Sequence, residues 1–367
     1  MLDEAEDIGL PPGRLRGGTF VFDGTLADGL KAVLWMRIAN RVLLHLKSFP
    51  VSTAESLYEG VHEMDWQAHL TTESTFAIDA VGTTDKLRHT HFVAMKAKDA
   101  IADRLTALLG SRPNVEPKNP DVRIVVRLHG GHAHVSLDLS GYSLHRRGYR
   151  SVQGEAPLKE TLAAAVIRWS GWDGEETFVD AMCGGGTFCI EAAHWAMKKA
   201  PGLGRDHGFI RWPSYGERME SSWEKLCAEA RENQLEKPPG ILISNDYDMG
   251  AIEATKANLV AASLEGLVQT TRDSADRMIL PEGPGLVVAN PPYGERMGDK
   301  RDVQRMLRLY GNAFTKYVGY RSVILSAEPD LPSYLNLELE GHAPFWNGPI
   351  ECGLFGFSEV DSSNATV

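Results

Sequence analysis

The sequence predicts an α/β protein: a Rossmann-like, mostly parallel sheet fills its second half, and a smaller α+β region precedes it. Three observations carry this. From residue 177 onward, short apolar runs ending in acidic or polar residues alternate with stretches of helical period, the pattern of a parallel sheet covered on both faces. A cluster of three glycines follows the first of those runs and opens a helix, the layout of a doubly wound sheet with a ligand at its strand ends. Upstream, the pattern changes to short strands, two helices and a Gly-Gly hairpin.

The elements follow in order. Residues 1–16 are acidic, then rich in Pro and Gly, with weak helical character. A strand over 19–22, a helix over 26–39 and a strand over 41–47 make a small α+β unit at 1–51. Residues 52–140 hold a helix over 54–62, a strand over 76–81, a long helix over 90–109, and a hairpin of strands 123–128 and 132–139 turning at Gly130-Gly131. In its second strand Ala133, Val135, Leu137 and Leu139 alternate with His132, His134, Ser136 and Asp138. The histidines therefore lie on a polar face with no cysteine or carboxylate cluster beside them, and they read as solvated side chains rather than metal ligands.

Residues 141–156 are a basic, glycine-containing linker, and 157–169 an amphipathic helix beginning the sheet domain at 157–360. The strand over 177–180 and its glycine loop lead into a helix from Phe188. An insertion at 201–239 brings Phe209, Trp212, Pro213, Tyr215 and Trp223 together with a helix over 220–233, and reads as the core of a local cap. Further strands are expected over 241–245, up to 271, over 285–289 and over 323–326, with helices over 251–262 and 302–317 between them. Strands over 335–340 and 352–357, joined by a shorter loop, suggest an antiparallel edge; 361–367 reads as a disordered tail.

Composition sets limits. The chain has 367 residues, enough for two or three compact units, and a formal net charge of −11. It has no apolar run long enough to span a bilayer and no signal-peptide pattern. Its four cysteines, Cys183, Cys189, Cys227 and Cys352, lack C-x-x-C spacing and read as reduced thiols of a cytoplasmic protein, with no metal site. A net acidic protein binds nucleic acid only through local basic patches, and the sequence has two: Lys86, Arg88, Lys96 and Lys98, and His145, Arg146, Arg147 and Arg150. Each is also compatible with an ordinary solvated face.

Two motifs carry chemistry. Asn290-Pro291-Pro292-Tyr293 follows the apolar run 285–289. Consecutive prolines fix φ and remove two donors, leaving a rigid loop at a strand's carboxyl edge with an amide, free carbonyls and an aromatic face. Those groups suit a planar base held by its exocyclic amine, though a proline-stiffened turn would look the same. Upstream, Asp180-Ala181-Met182-Cys183-Gly184-Gly185-Gly186-Thr187 links a strand to a helix. The spacing is neither G-x-G-x-x-G nor a P-loop, and an aspartate beside the glycines suits a zwitterionic methionine moiety better than a pyrophosphate. Asp246 ends the next strand, where a ribose diol is held, and Asp273 with Ser274 ends the one after.

With these residues the chain resembles the class I S-adenosylmethionine-dependent RNA methyltransferases that carry a THUMP domain, and most of all the bacterial large-subunit rRNA guanine-N2 group. Asp180 to Thr187 matches the cofactor motif written D-P-M-C-G-S-G-T in that family, with Ala181 and Gly185 replacing proline and serine. Asn290 to Tyr293 matches its amine-methylating motif; Ser143 to Arg150 and Ala156 to Glu160 resemble the segments before its catalytic domain; Asp85 to Thr90 and the helix after it resemble its THUMP region.

The resemblance implies a seven-stranded Rossmann-like methyltransferase domain, a ferredoxin-like N-terminal unit and a THUMP RNA-binding domain at 52–140. It implies S-adenosylmethionine held by Asp180, Ala181, Cys183, Gly184 to Gly186, Thr187, Asp246, Asp273 and Ser274. It also implies 23S rRNA or its assembly particle as partner, gripped by the two basic patches, with tRNA as the alternative substrate and a non-catalytic ribosome-assembly factor as the alternative role. Relatives begin with one further strand bearing a Cys-Pro-x-Gly-like segment; without it here, the expectation is either a truncated start or a missing first strand that leaves a sheet edge open. Some carry a second methyltransferase domain.

Overall fold

The computed structural model describes residues 1–152, 158–291, 307–309, 311–348 and 350–361. The chain begins with a short helix α1 (Leu2–Asp7) and a two-stranded hairpin, β1 (Gly13–Arg16) and β2 (Thr19–Phe22). The first strand of that hairpin carries no apolar alternation and was not expected from the sequence. Thr25 caps α2 (Leu26–Trp35) with a reciprocal capping box to Asp28. β3 (Leu43–Pro50) follows, then α3 (Ala54–His62), capped in the same way by Thr53 with Ser56. β4 (Thr75–Val81) leads to α4 (Thr90–Leu109), which stops at Gly110 in the left-handed region, φ 72°. β5 (Asn114–Val115), β6 (Val122–His129) and β7 (His132–Asp138) complete a five-stranded sheet ordered β3-β7-β6-β4-β5. Gly130 and Gly131 both take positive φ, 55° and 73°, which the two-residue hairpin turn needs.

Asp138 is fully buried at the end of β7, and Arg41 Nη1 donates to its Oδ2 at 2.5 Å while Arg41 Nη2 lies 3.1 Å from Asp79. The Ser140 backbone N–H donates to Asp138 Oδ1 at 2.9 Å. One guanidinium thus joins β4 and β7 across β6.

α5 (Glu160–Trp169), β8 (Thr177–Asp180) and α6 (Thr187–Ala196) open the larger sheet unit. Then come α7 (Glu217–Glu232), β9 (Leu242–Asn245), α8 (Met249–Ala261), β10 (Gln269–Thr271), β11 (Gly285–Ala289) and β12 (Tyr320–Ser326). β13 (Leu339–Asn347) and β14 (Ile350–Phe357) close it. The sheet is ordered β10-β9-β8-β11-β12-β14-β13; its first five strands are parallel, and β14 runs antiparallel to both its neighbours, β12 and β13. Neighbouring residues of each central strand enter different cores: Phe178, Leu286, Val288 and Val323 pack on one face, Val179, Val287, Ala289 and Ile324 on the other. Both faces are covered, as a parallel sheet requires.

The last strands differ from expectation. Residues 331–334 form a 3₁₀ turn, Leu335 drops into the core, and the strand runs from Leu339 through Pro344. β13 is an edge strand, where a proline is tolerated. Of the helix expected over 302–317, the described parts 307–309 and 311–314 are helical.

Contacts divide the chain into residues 1–144 with 202–230, and residues 145–201 with 231–367. The insertion therefore belongs with the first unit: Gly202 N–H donates to Leu34 O, and Gly208 N–H to Ser140 O. Its rings do cluster, with His207, Phe209 and Trp223 centroids 5.0–5.8 Å apart, but their partners lie in the N-terminal half and not on the large sheet.

Arg41→Ala should cost about 3–5 kcal/mol at pH 7.5, the usual penalty for stripping a buried charge of its partner. Burial already raises the Asp138 carboxyl above its usual range, against the pull of Arg41. Without Arg41 the folded state holds a proton that the unfolded chain has released, so stability falls as pH rises above the usual carboxylate range. Urea midpoints should show a larger deficit at pH 7.5 than at pH 4.5.

Candidate active site

The sheet order places a topological switch point between β8 and β11: strands proceed from β8 through β9 to β10 on one side, and from β11 to β12 on the other. Ligands of such sheets bind outside the carboxyl ends at that point. Asp180 ends β8 opposite Val288 of β11, and Ala181 N–H donates to Val288 O at 3.0 Å. The glycine loop and the Asn290-Pro291 segment therefore leave the sheet from adjacent positions.

Asn245, at the end of β9, holds the neighbouring strand ends in register. Its Nδ2 donates to Ala181 O at 3.2 Å and Asp273 O at 3.0 Å; its Oδ1 accepts from Thr271 Oγ1 at 2.9 Å and Asp273 N–H at 3.1 Å. Cys183 N–H donates to the Asn245 carbonyl at 2.8 Å. The sequence reading passed over this residue; its only signal is an amide directly before the acidic strand end.

The loop itself depends on left-handed backbone, with φ 52° at Gly184 and 78° at Gly186, which caps α6. Gly184 N–H donates to Asp246 Oδ2 at 3.0 Å, and Asp246 Oδ1 accepts from Asp248 N–H at 3.0 Å. Gly186 N–H turns back onto Cys183 O at 2.7 Å. A Cβ on Gly186 would sit 2.9 Å from Thr255 Cγ2. Two buried polar residues of α8, also missed in the sequence, meet the loop: Thr255 Oγ1 donates to Gly184 O at 2.9 Å and Asn258 Nδ2 to Gly185 O at 2.9 Å. Their signal is polar side chains three apart on the buried side of a helix. Cys183 is buried and its thiol is pushed well up, by burial first and then by Asp180, so it is no nucleophile. Thr187 Oγ1 accepts from Arg150 at 3.3 Å.

Asp180 is fully buried; burial, and after it the charge of Asp246, raise its carboxyl well above the usual range. Its Oδ1 has no hydrogen-bond partner among the described residues. Asn290 Oδ1 is likewise buried and unpartnered among them. Pro291 is buried; Pro292 and Tyr293 lie outside the described residues. Asp273 is exposed and accepts from Ser274 N–H at 2.8 Å, while Ser274 Oγ donates to Asp276.

The basic residues separate into two kinds. Arg146, Lys86 and Arg88 are exposed, Arg88 Nε donating to Asp85 O at 2.9 Å. Lys96 lies 5.0 Å from the centre of the Tyr58 ring, and Lys98 pairs with Asp99 at 3.0 Å. Arg147 and Arg150 correct the sequence expectation. The Arg147 side chain is 3% exposed and pairs with the buried Glu191 at 3.5 Å, on which Tyr149 Oη also donates at 3.0 Å. Arg150 is 13% exposed, pairs with Glu160 at 3.2 Å and donates to Leu158 O at 2.8 Å. Both guanidiniums are held by carboxylates, Arg150 on α5 and Arg147 on α6. His145 is pushed down to about 4, by burial and then by Lys159 and the neighbouring arginines, so it is neutral at pH 7 and offers no charge either.

Among the described residues no group of three or more His, Cys, Asp or Glu is placed to hold a metal, and no helix is long and apolar enough to cross a membrane.

Residues 51–138 match the THUMP domain and residues 147–353 the methyltransferase domain of the RMKL-like family UPF0020. The ribosomal RNA large subunit methyltransferase K/L of Magnetococcus marinus is 41% identical over 90% of this chain and 47% of its own length. The chain spans about half the length of the curated relatives it matches. Among solved structures, SMU.472, assigned as a methyltransferase and complexed with SAH, is 29% identical with a TM-score of 0.88, covering 97% of this chain and 94% of that one. A Listeria monocytogenes protein designated an N6-adenine-specific DNA methylase is 25% identical with a TM-score of 0.85, covering 98% and 92%. On a match that covers more than half of its residues, the chain belongs to the UPF0020 RMKL-like methyltransferase family and carries a THUMP domain N-terminal to the methyltransferase domain.

Proposed function

We propose that this chain transfers a methyl group from S-adenosylmethionine to the exocyclic N2 of a guanine in 23S rRNA. The observation that carries this is Asn290 Oδ1, a buried acceptor without a partner among the described residues, one residue beyond the end of β11 and beside the end of β8. The K/L relatives' names support a large-subunit rRNA substrate, and the THUMP match favours RNA over the DNA named for the Listeria protein.

The residues present fit the methyl donor. Asp180 Oδ1 is a buried carboxyl oxygen without a partner among the described residues and suited to an ammonium, Gly184 leaves open space beside the loop, and Asp246 presents a carboxylate at the second strand end for a ribose diol. Asp273 and Ser274 are assigned to the adenine amine; the Ser274 hydroxyl donates to Asp276 and keeps lone pairs to accept from that amine. When bound, S-adenosylmethionine supplies a methyl already activated by its sulfonium. The protein's work is then to position and polarise the acceptor. An exocyclic amine has its lone pair delocalised into the base. Asn290 Oδ1 and the Pro291 carbonyl, accepting its two N–H bonds, favour a pyramidal nitrogen and offset the positive charge that develops on it. Tyr293 is assigned from the sequence to stack on the extruded base. Arg146, Lys86, Arg88 and Lys96 are assigned to the RNA backbone.

Asn290→Ala should lower turnover of methyl-accepting rRNA by about 10²–10³, the effect of losing one preorganised polar contact. Calorimetric affinity for S-adenosylhomocysteine should stay as in the wild type. Methyl incorporation near the wild-type rate would remove this loop from the mechanism, and preferential labelling of DNA adenine would replace the substrate.

Asp180→Asn should separate binding from stability. The raised carboxyl pKa means the folded state keeps a proton that the unfolded chain loses, so wild-type stability declines as pH rises above the usual carboxylate range. Asparagine has no such decline. The variant should melt about 2–4 °C or more above the wild type at pH 8 without ligand, for each kcal/mol removed, with the gap closing towards pH 4. It should also bind S-adenosylhomocysteine about tenfold or more weakly. A lower melting temperature at pH 8 would refute the assignment.

Arg146→Ala should reduce the log–log salt slope of single-stranded RNA binding by about 0.7, one counterion's share. Arg147→Ala should leave the slope alone and lower the melting temperature, since it strips the buried Glu191 of a cation.

A further inference from the structure

Thr255 and Asn258 lie three residues apart on α8, so both side chains project from one side of the helix, here onto the glycine loop. Each holds a carbonyl, Thr255 that of Gly184 and Asn258 that of Gly185. In a trans peptide the carbonyl and the following N–H point in opposite directions, and no cis bond occurs among the described residues. With Gly184 O pinned to α8, the Gly185 N–H points away from that helix. It has no acceptor among the described residues, whereas the amides on either side are engaged by Asp246 and Cys183.

Asn258 does not stand alone. Its Oδ1 accepts from Ser151 N–H at 2.9 Å, Ser151 Oγ at 3.1 Å and Val152 N–H at 3.1 Å. Three donors on one oxygen fix which way the amide is turned and leave its nitrogen for the Gly185 carbonyl. The Ser151–Val152 backbone thereby sets the side chain that sets the loop.

We propose that Thr255 and Asn258 are positioning residues for methyl transfer, holding the glycine loop so that the Gly185 amide faces the carboxylate of the methionine moiety. The proposal rests on the reading of this loop as the methionine pocket. Its physical reason is entropy. Three consecutive glycines have access to a wide range of backbone conformations, and binding would have to select one of them; two hydrogen bonds from a rigid helix make that selection beforehand.

Asn258→Asp keeps the acceptor for the Ser151 and Val152 donors and removes the donor to the Gly185 carbonyl, together with the longer bond to Val152 O at 3.3 Å. Thr255→Val keeps the shape and removes the donor to Gly184. Calorimetry with S-adenosylhomocysteine should show affinity weakened about tenfold or more for Asn258→Asp, whose carboxylate would oppose a carbonyl, and roughly 2–10-fold for Thr255→Val. With methyl-accepting rRNA the loss should fall on KM for the donor and not on kcat. Exchange of the Gly186 amide, which donates to Cys183 O, should quicken in both unliganded variants. Unchanged affinity in folded variants, or a fall in kcat alone, would overturn the proposal; if Asn258→Asp does not fold, Thr255→Val decides it. Failure of the wild type to bind S-adenosylhomocysteine would instead overturn the methionine-pocket reading, so the two failures are distinguishable.

Discussion

The geometry of the site depends on the side-chain amide of Asn245. Parallel strands end independently, and nothing in the ladder compels their exit loops to leave at one height. An amide has two donors and two acceptor directions, and Asn245 spends them on Ala181, Thr271 and Asp273. It therefore sets the positions of the loops after β8 and β10 relative to β9. Asp180, the glycines and Asp273 inherit that registration, and the β8–β11 pairing carries it on to Asn290. A carboxylate at the same place could accept but not donate, so it would hold half of the arrangement.

Inside that frame, electrostatics works against stability. The ends of β8 and β9 bring Asp180 and Asp246 close enough to raise the former further, and no cation among the described residues answers Asp180. Buried polar atoms usually find partners, so the exception at the switch point makes Asp180 a candidate ligand contact. Asn290 is a second such exception on the adjoining strand. By contrast, the buried arginines nearby are answered: Arg147 by Glu191 and Arg150 by Glu160.

Local signals were legible where local physics decides. α4 spans Thr90–Leu109 as expected, and the Gly130-Gly131 turn and the ends of β8 and β11 fall where the sequence places them. What tertiary contact decides was not legible. Charge patterning identified Arg146, Arg147 and Arg150 as one basic patch, but only the fold shows that two of the three turn inward, onto the carboxylates of Glu191 and Glu160. Asn245, Thr255 and Asn258 are ordinary polar residues until the loop they hold is placed beside them. The aromatic cluster of the insertion was visible as a cluster, yet nothing in its own residues names the half of the chain it joins.

That last feature shapes how the chain must come together. The first unit takes residues 1–144 and then 202–230, so it is discontinuous, and the chain changes units three times. On a ribosome, the first unit cannot complete itself when residue 144 emerges; β8 and α6, which belong to the other unit, are made before its missing piece. Domains usually fold as units in order of synthesis. Here the two must mature together, and no single cut in the chain separates one from the other intact.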